Sequence, residues 1–190
     1  MALVRMACDG DRNAYWHLVE PHLSLLLATA RKILMDSADA EEVAQESLLR
    51  ALKNICQFRG EAKFSTWLVQ ITINESRQRL RKYRRHLHRT IEDVTDNDGQ
   101  LGSVISWRDF PLDAIEHKEL SDAVQLAIAS LPQKYREVLT LRDIQQMSIK
   151  ETAQALGLSL QNVKIRLLRA RIKMRDALWI LTDSPQTKAD

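Results

Sequence analysis

Apolar residues recur along this chain at three- and four-residue intervals almost throughout, the period of helices that bury one face. Tyr15, Leu18, Val19, Leu23 and Leu26 open a first predicted helix that runs to about Leu34. Asp36–Asp39 reads as a turn, and Ala40–Cys56 as a second helix with Val43, Leu48, Ala51, Leu52 and Ile55 on its core side. After a short connection containing Gly60, Ser65 is placed to cap a third helix reaching about Arg85. From about His86 to Pro111 the periodicity lapses and Asp, Asn, Gly and Ser accumulate, which marks a flexible linker. A helix follows from about Leu112 to Ser130. Pro132, at a first-turn position, opens another that carries Tyr135, Val138, Leu139 and Leu141. Five glycines and four prolines in 190 residues leave little room for strands or long loops. The pattern predicts an all-α protein of two small helical domains, 1–88 and 112–182, joined by the acidic linker 89–111 and followed by a polar tail, 183–190.

Residues 148–175 form the sharpest local signature, a helix–turn–helix. Ser148 and Glu151 fit a capping box, in which hydroxyl and carboxylate satisfy unpaired N–H groups. Ile149, Thr152, Ala153 and Leu156 follow at helical spacing, Gly157 suits a left-handed stop, and Ser159 is placed to cap the next helix. On that second helix Val163, Leu167, Ala170 and Met174 fall on one stripe, the predicted buried face. The opposite face carries Ile165, Leu168, Arg169 and Ile172, flanked by Lys164, Arg166, Arg171, Lys173 and Arg175. No acidic residue interrupts it between Glu151 and Asp176, so this face is built for DNA.

The formal charge of +3 is modest, but it is unevenly spread. Arg77, Arg79, Arg81, Lys82, Arg84, Arg85 and Arg89 make one basic block and the helix above makes another; an acidic stretch from Glu92 to Asp122 lies between them. Two nucleic-acid contacts separated by a connection that avoids phosphates fit this layout. Cys8 and Cys56 offer no metal-ligand spacing and no disulfide framework, which predicts reduced thiols in a cytoplasmic protein. The opening residues hold no apolar run of signal-peptide length, and Arg31 and Lys32 break the apolar stretch Leu23–Leu34. The expectation is a soluble protein.

Two surfaces of the first domain carry different chemistry. Glu42, Gln45, Glu46, Leu49 and Lys53 share a stripe of the second helix away from the core side. Carboxylates, an amide and an exposed leucine suit a basic partner helix, although a merely solvated face has the same composition. The segment Phe58–Arg85 mixes aromatic and basic side chains: Phe58, Arg59, Lys63, Phe64 and Trp67, then the run from Arg77 with Tyr83. Unpaired bases stack on aromatic faces while Lys and Arg follow the backbone, so this surface favours an opened strand. Trp67, one turn from Ile71, also reads as core. The basic run is expected to have no nearby acid that neutralises it.

Asp39–Leu52, DAEEVAQESLLRAL, followed by Phe58–Arg85, FRGEAKFSTWLVQITINESRQRLRKYRR, resembles the promoter-melting domain of bacterial RNA polymerase sigma factors of the extracytoplasmic-function (ECF) type, sigma-70 group IV. Leu131–Arg171 resembles their minus-35-binding domain, and both domains occur in the family's order with its short linker. The resemblance implies that Asp39, Glu42, Gln45, Glu46 and Leu49 dock on the β′ clamp helices of core RNA polymerase, with the β flap as a further contact. It implies that Phe58, Arg59, Lys63, Phe64, Trp67 and the helix through Asn74 read the minus-10 region and capture a flipped base. Arg77, Arg81, Lys82, Arg84 and Arg85 then lie where the family contacts promoter phosphates. Gln161, Lys164, Ile165, Leu168 and Arg169 match positions facing the minus-35 major groove, with Arg166 and Arg171 on the DNA backbone. Ile165 departs from the small hydroxyl residue common there; it and Leu168 are suited to thymine methyls rather than bidentate base contacts.

The implied protein is a specificity subunit and not an enzyme, with no cofactor, metal or small-molecule substrate. No Walker loop, metal constellation or nucleophile–base pair is visible, and His86 and His88 sit in an arginine run that reads as a basic loop. Strand opening is expected to draw on binding energy, since unstacking a base costs a few kcal/mol. The partners implied are core RNA polymerase, promoter DNA and an anti-sigma factor able to hold the protein at the inner face of the membrane. Two rival readings are a two-domain helix–turn–helix regulator, which needs a ligand pocket and a dimer interface, and a nucleic-acid-modifying enzyme, which needs carboxylates or metal ligands beside the basic block.

Overall fold

The computed structural model describes residues 1–88 and 117–182. The predicted linker 89–111, the predicted helix up to residue 116 and the tail 183–190 lie outside the described residues. The described elements are helices: α1 Ala2–Cys8, α2 Arg12–Val19, α3 Leu23–Leu34, α4 Ser37–Asn54 and α5 Phe64–His88, then α6 His117–Ser130, α7 Gln133–Leu139, α8 Ile149–Leu156 and α9 Leu160–Thr182. Short 3₁₀ turns precede α3 and follow α4.

Several boundaries differ from the sequence reading, each for a local reason. The single helix expected from Tyr15 to Leu34 is divided, because Pro21 supports a 3₁₀ turn at Glu20–His22 and cannot continue α2. α4 starts at Ser37 and not at Ala40: the Asp36 carboxylate accepts from the Asp39 N–H at 2.8 Å and caps it there. Ser65 does not cap the third helix, which already includes Phe64; the Trp67 N–H bonds the Lys63 carbonyl. Pro132 is the cap residue of α7 rather than its first helical position. α1 had no counterpart in the reading. Seven residues are too few to hold a helix alone, and α1 is fixed from outside by burial of Val4 and Ala7 against Ala14 and Ile55. It is also fixed by a disulfide between Cys8 and Cys56, which corrects the expectation of two unpaired thiols.

One contiguous apolar cluster runs through both halves of the described chain. Leu26, Ile33, Leu68, Val69 and Ile73 contribute from the first half, and Ile128, Leu131, Tyr135, Val138, Leu141, Val163 and Leu167 from the second. Each fully buried aliphatic side chain of this kind is worth about 1.5–3 kcal/mol, so the helices are held mainly by this cluster. Polar contacts stitch the halves together at its rim. Arg136 donates to the carbonyl of Ile33 at the end of α3 and to those of Ala129 and Leu131 around the end of α6, each at 2.9 Å, satisfying acceptors that helix ends leave open. Arg77 of α5 donates two hydrogen bonds to Glu137 of α7, at 2.9 and 2.7 Å.

Candidate nucleic-acid interface

The helix–turn–helix forms as its local chemistry dictates. The Ser148 side chain accepts from the Glu151 N–H and the Glu151 carboxylate accepts from the Ser148 N–H, so the capping box is closed. Gly157 ends α8 at φ 67°, where a side chain would be strained. Ser159 accepts from the Asn162 N–H at the start of α9. Val163, Leu167, Ala170 and Met174 are all buried, which sets the rotation of α9. Its opposite face presents Gln161, Lys164, Ile165 and Leu168 exposed, with Arg166 and Arg169 half-buried. Arg171 turns back on its own domain and donates twice to Asp143, at 2.9 and 2.7 Å. Asp143 sits in a π-helical turn, Thr140–Ile144, in which the Gln145 N–H reaches the Thr140 carbonyl. That widened turn is what aims Asp143 at α9.

Between α4 and α5 the acidic stripe is organised by a residue the sequence reading had placed in the basic block. Arg79 reaches Asp39 at 3.0 Å and Glu42 at 2.7 Å, with Glu46 at 3.9 Å. Tyr83 donates to the other oxygen of Asp39 at 2.8 Å. The hydrogen bond and charge of Arg79 hold the Glu42 carboxyl below its usual pKa. Three carboxylates against one guanidinium leave surplus negative charge on this face. Gln45 and Leu49 stand exposed beside it, Leu49 at 60%. Lys53 lies further along, on a polar cleft shared with Arg50, which pairs with Glu75 at 2.6 Å.

The aromatic residues of the third segment form a cluster. Phe58 meets Phe64 edge-on at 5.3 Å, and Trp67 lies 5.4 Å from Phe58 and 5.6 Å from Phe64. All three are half-buried, and Phe64 also faces His22 at 6.1 Å. Trp67 packs against both the main core and the α1 cluster, so its core role is real. Arg59 and Asn74 are exposed.

The basic run on α5 is sorted by helical phase. Arg77 is held by Glu137 and Arg79 by the acidic stripe, which corrects the expectation that no acid neutralises the run. Arg81, Lys82 and Arg85 are exposed, and the side chain of Arg84 lies outside the described ones. Lys63, three-quarters exposed, bonds Glu151 of α8 at 2.6 Å. The Lys63 ammonium and the Ser148 groups together draw the Glu151 carboxyl down to about 2. Glu151 thus caps its own helix and holds the other domain. Sequence reasoning missed Arg79, Glu137 and Asp143 as partners. The available signal was Glu137 itself, a carboxylate one turn or less from the apolar Val138, Leu139 and Leu141.

Among the described residues no helix is long and apolar enough to cross a membrane, and no group of three metal-ligating side chains occurs. Sigma-70 region 2 matches residues 18–86, and sigma-70 region 4 matches residues 121–174. The ECF RNA polymerase sigma factor SigW of Bacillus subtilis is 31% identical over 177 residues, 92% of this chain and 94% of SigW. SigM of Mycobacterium tuberculosis is 32% identical over 173 residues, 90% of this chain and 81% of SigM. Among solved structures, CnrH in complex with the cytosolic domain of CnrY aligns with a TM-score of 0.63 at 26% identity, covering 93% of this chain and 95% of that one. RpoE of Bartonella quintana shares the fold, with a TM-score of 0.65 over 85% of this chain and 94% of RpoE. With region 2 spanning α3–α5, region 4 spanning the helix–turn–helix, and such relatives along nine-tenths of its length, the chain belongs to the ECF sigma factors of the sigma-70 family.

Proposed function

We propose that this sigma factor binds core RNA polymerase through the α4 stripe Asp39, Glu42, Gln45, Glu46 and Leu49, and directs opening of promoters read by α5 and α9. The observation that carries the docking assignment is the assembly of three carboxylates around Arg79 beside an exposed leucine. A solvated face needs neither the fixed acids nor the leucine, whereas a basic partner helix uses both.

Phe58, Phe64 and Trp67 offer ring faces to a flipped minus-10 base, with Arg59, Lys63, Asn74, Arg77, Arg81, Lys82, Arg84 and Arg85 along the strand. Gln161, Lys164, Ile165, Leu168 and Arg169 face the minus-35 groove and Arg166 the phosphates, a role Arg171 shares only by giving up its two hydrogen bonds to Asp143. Lys63 and Arg77 are engaged by Glu151 and Glu137 of the second half. Their use on DNA therefore exchanges intramolecular carboxylates for phosphates, an exchange the released counterions favour at low salt.

The chain acts through binding energy and not through a catalytic group, in the cytoplasm where core polymerase works. CnrH is known in complex with CnrY, and RpoE with the anti-sigma factor NepR; a partner of that kind fits here by covering the α4 stripe and the apolar groove of region 4 together. That groove is lined by Val124, Ile128, Leu139, Ile144 and Met174. Run-off transcription from genomic promoter fragments, with core polymerase alone and with this protein added, tests the proposal. Transcripts that start at new positions only with the protein support it; an unchanged start-site profile rejects it.

A further inference from the structure

Cys8 ends α1, and Cys56 lies in the 3₁₀ turn two residues before Phe58. The two residues are 48 apart in sequence, yet their Cα atoms are 5.1 Å apart and their sulfurs are joined. Both residues are exposed, so small thiols and disulfides reach them. What the bond fastens is specific. Val4 and Ala7 of α1 complete a cluster with Ala14 and Ile55, against which Phe58, Phe64 and Trp67 pack. At its other end α1 leaves Met1 over the turn, where a side chain at Gly60 would meet the methionine sulfur. α1 therefore lies on the aromatic element from both ends, and it is too short to stay there as a helix unaided.

We propose that Cys8 and Cys56 form a reversible thiol–disulfide site, and that oxidation fastens α1 over the aromatic cluster and slows promoter opening. The second half of this statement rests on the minus-10 role given above to Phe58, Phe64 and Trp67. Reduction proceeds by exchange with a dithiol. One external thiolate attacks a cysteine sulfur, and the other cysteine leaves as a thiolate and takes a proton. The second external thiol then closes on the first and releases the remaining cysteine. The protein gains an electron pair and two protons, and the dithiol becomes a cyclic disulfide; oxidation reverses each step against a disulfide oxidant. With the bond open, α1 is held by noncovalent contacts alone, chiefly those of Val4 and Ala7 with Ala14 and Ile55, and its departure uncovers ring surface that a base needs for stacking.

The full-length chain, equilibrated across mixtures of reduced and oxidised dithiothreitol, gives the test. Thiols are trapped by alkylation and counted by mass spectrometry, and hydrogen exchange of residues 1–20 is followed in both forms. The expected result is reversible gain and loss of both thiols in the folded protein, with α1 amides exchanging about tenfold faster when reduced. Holoenzyme is then assembled from pre-oxidised or pre-reduced chain on promoters selected from a random library by the reduced form. Opening is read from permanganate reactivity of unpaired thymines. The pre-oxidised chain should open them about tenfold more slowly, because base capture precedes strand separation. A Cys8→Ser/Cys56→Ser chain should open them at the reduced rate under either treatment. A bond that survives excess dithiothreitol until the protein unfolds, thiols that never pair, or equal opening in both forms would each overturn the proposal. If the reduced holoenzyme opens no promoter, the minus-10 assignment falls instead, since the thiol count and the exchange rates are read without DNA.

Discussion

Replacing Arg77 with methionine and Glu137 with leucine, singly and together, measures how firmly the two halves of this sigma factor are locked. The Glu137 side chain is 3% exposed and that of Arg77 is 26% exposed, and two hydrogen bonds join them. Arg77→Met strands a buried carboxylate whose remaining donor among the contacts seen is the Gln133 side-chain amide at 2.8 Å; losing one partner of such a pair costs about 3–5 kcal/mol. Glu137→Leu leaves a guanidinium that is a quarter exposed and turns to water, so its cost is smaller, about 1–3 kcal/mol. In the double variant an apolar pair of similar volume replaces the ions, and exchanges of that kind are close to neutral. The double variant should therefore stand within about 1 kcal/mol of the parent, giving a coupling of roughly 3–9 kcal/mol between the substitutions. Urea unfolding followed by far-UV circular dichroism supplies the free energies. Costs that simply add in the double variant would refute the reasoning, because additivity means that α5 and α7 do not meet through these residues in solution.

Four further outcomes follow from the same geometry. Leu49→Asp, at a side chain 60% exposed on α4, should leave unfolding unchanged and weaken core-polymerase binding at least tenfold in a fluorescence titration, since desolvated interface anchors cost more than about 1.4 kcal/mol. The Glu151 carboxyl is depressed to about 2 in the folded chain by Lys63 and Ser148. A depressed carboxyl stabilises the fold above its unfolded pKa of about 4.3 and loses that contribution as the pH falls toward 2. The urea midpoint of the parent should therefore drop faster than that of Glu151→Gln across this window, and parallel curves would refute the pairing. On α9, Leu167→Asp should unfold the second half, while Arg169→Ala should relax preference at one minus-35 base pair by about 1–3 kcal/mol in promoter selection.

The helix–turn–helix was legible in the sequence because everything that makes it is local. Ser148, Glu151, Gly157 and Ser159 act within four residues of themselves, and the buried stripe of α9 needs only the helical period. The break at Pro21 was equally local, but the apolar spacing across it masked the proline. α1 and the disulfide were illegible for the opposite reason, since each depends on a contact across 48 residues. The basic block misled in a more instructive way. A run of arginines is continuous in sequence, but residues two apart on a helix point about 200° from each other. Arg77 and Arg79 accordingly face different neighbours, one the second half and the other the α4 stripe.

That division bears on how one helix serves two surfaces. Arg79 fixes the carboxylates of the α4 stripe, and Arg81 and Lys82, a turn away or less, are exposed on the same helix. If the α4 stripe docks polymerase as proposed, a contact that draws Glu42 away leaves Arg79 paired with Asp39 but short of one carboxylate, raising the positive potential of α5. On the proposed assignments, docking and DNA binding would then be coupled through Arg79, with the polymerase-bound form attracting phosphate more strongly than the free form. The contacts of Glu137 and Glu151 to Arg77 and Lys63 act in the same sense. They keep cations of the first half occupied by carboxylates of the second, which DNA phosphates would have to displace.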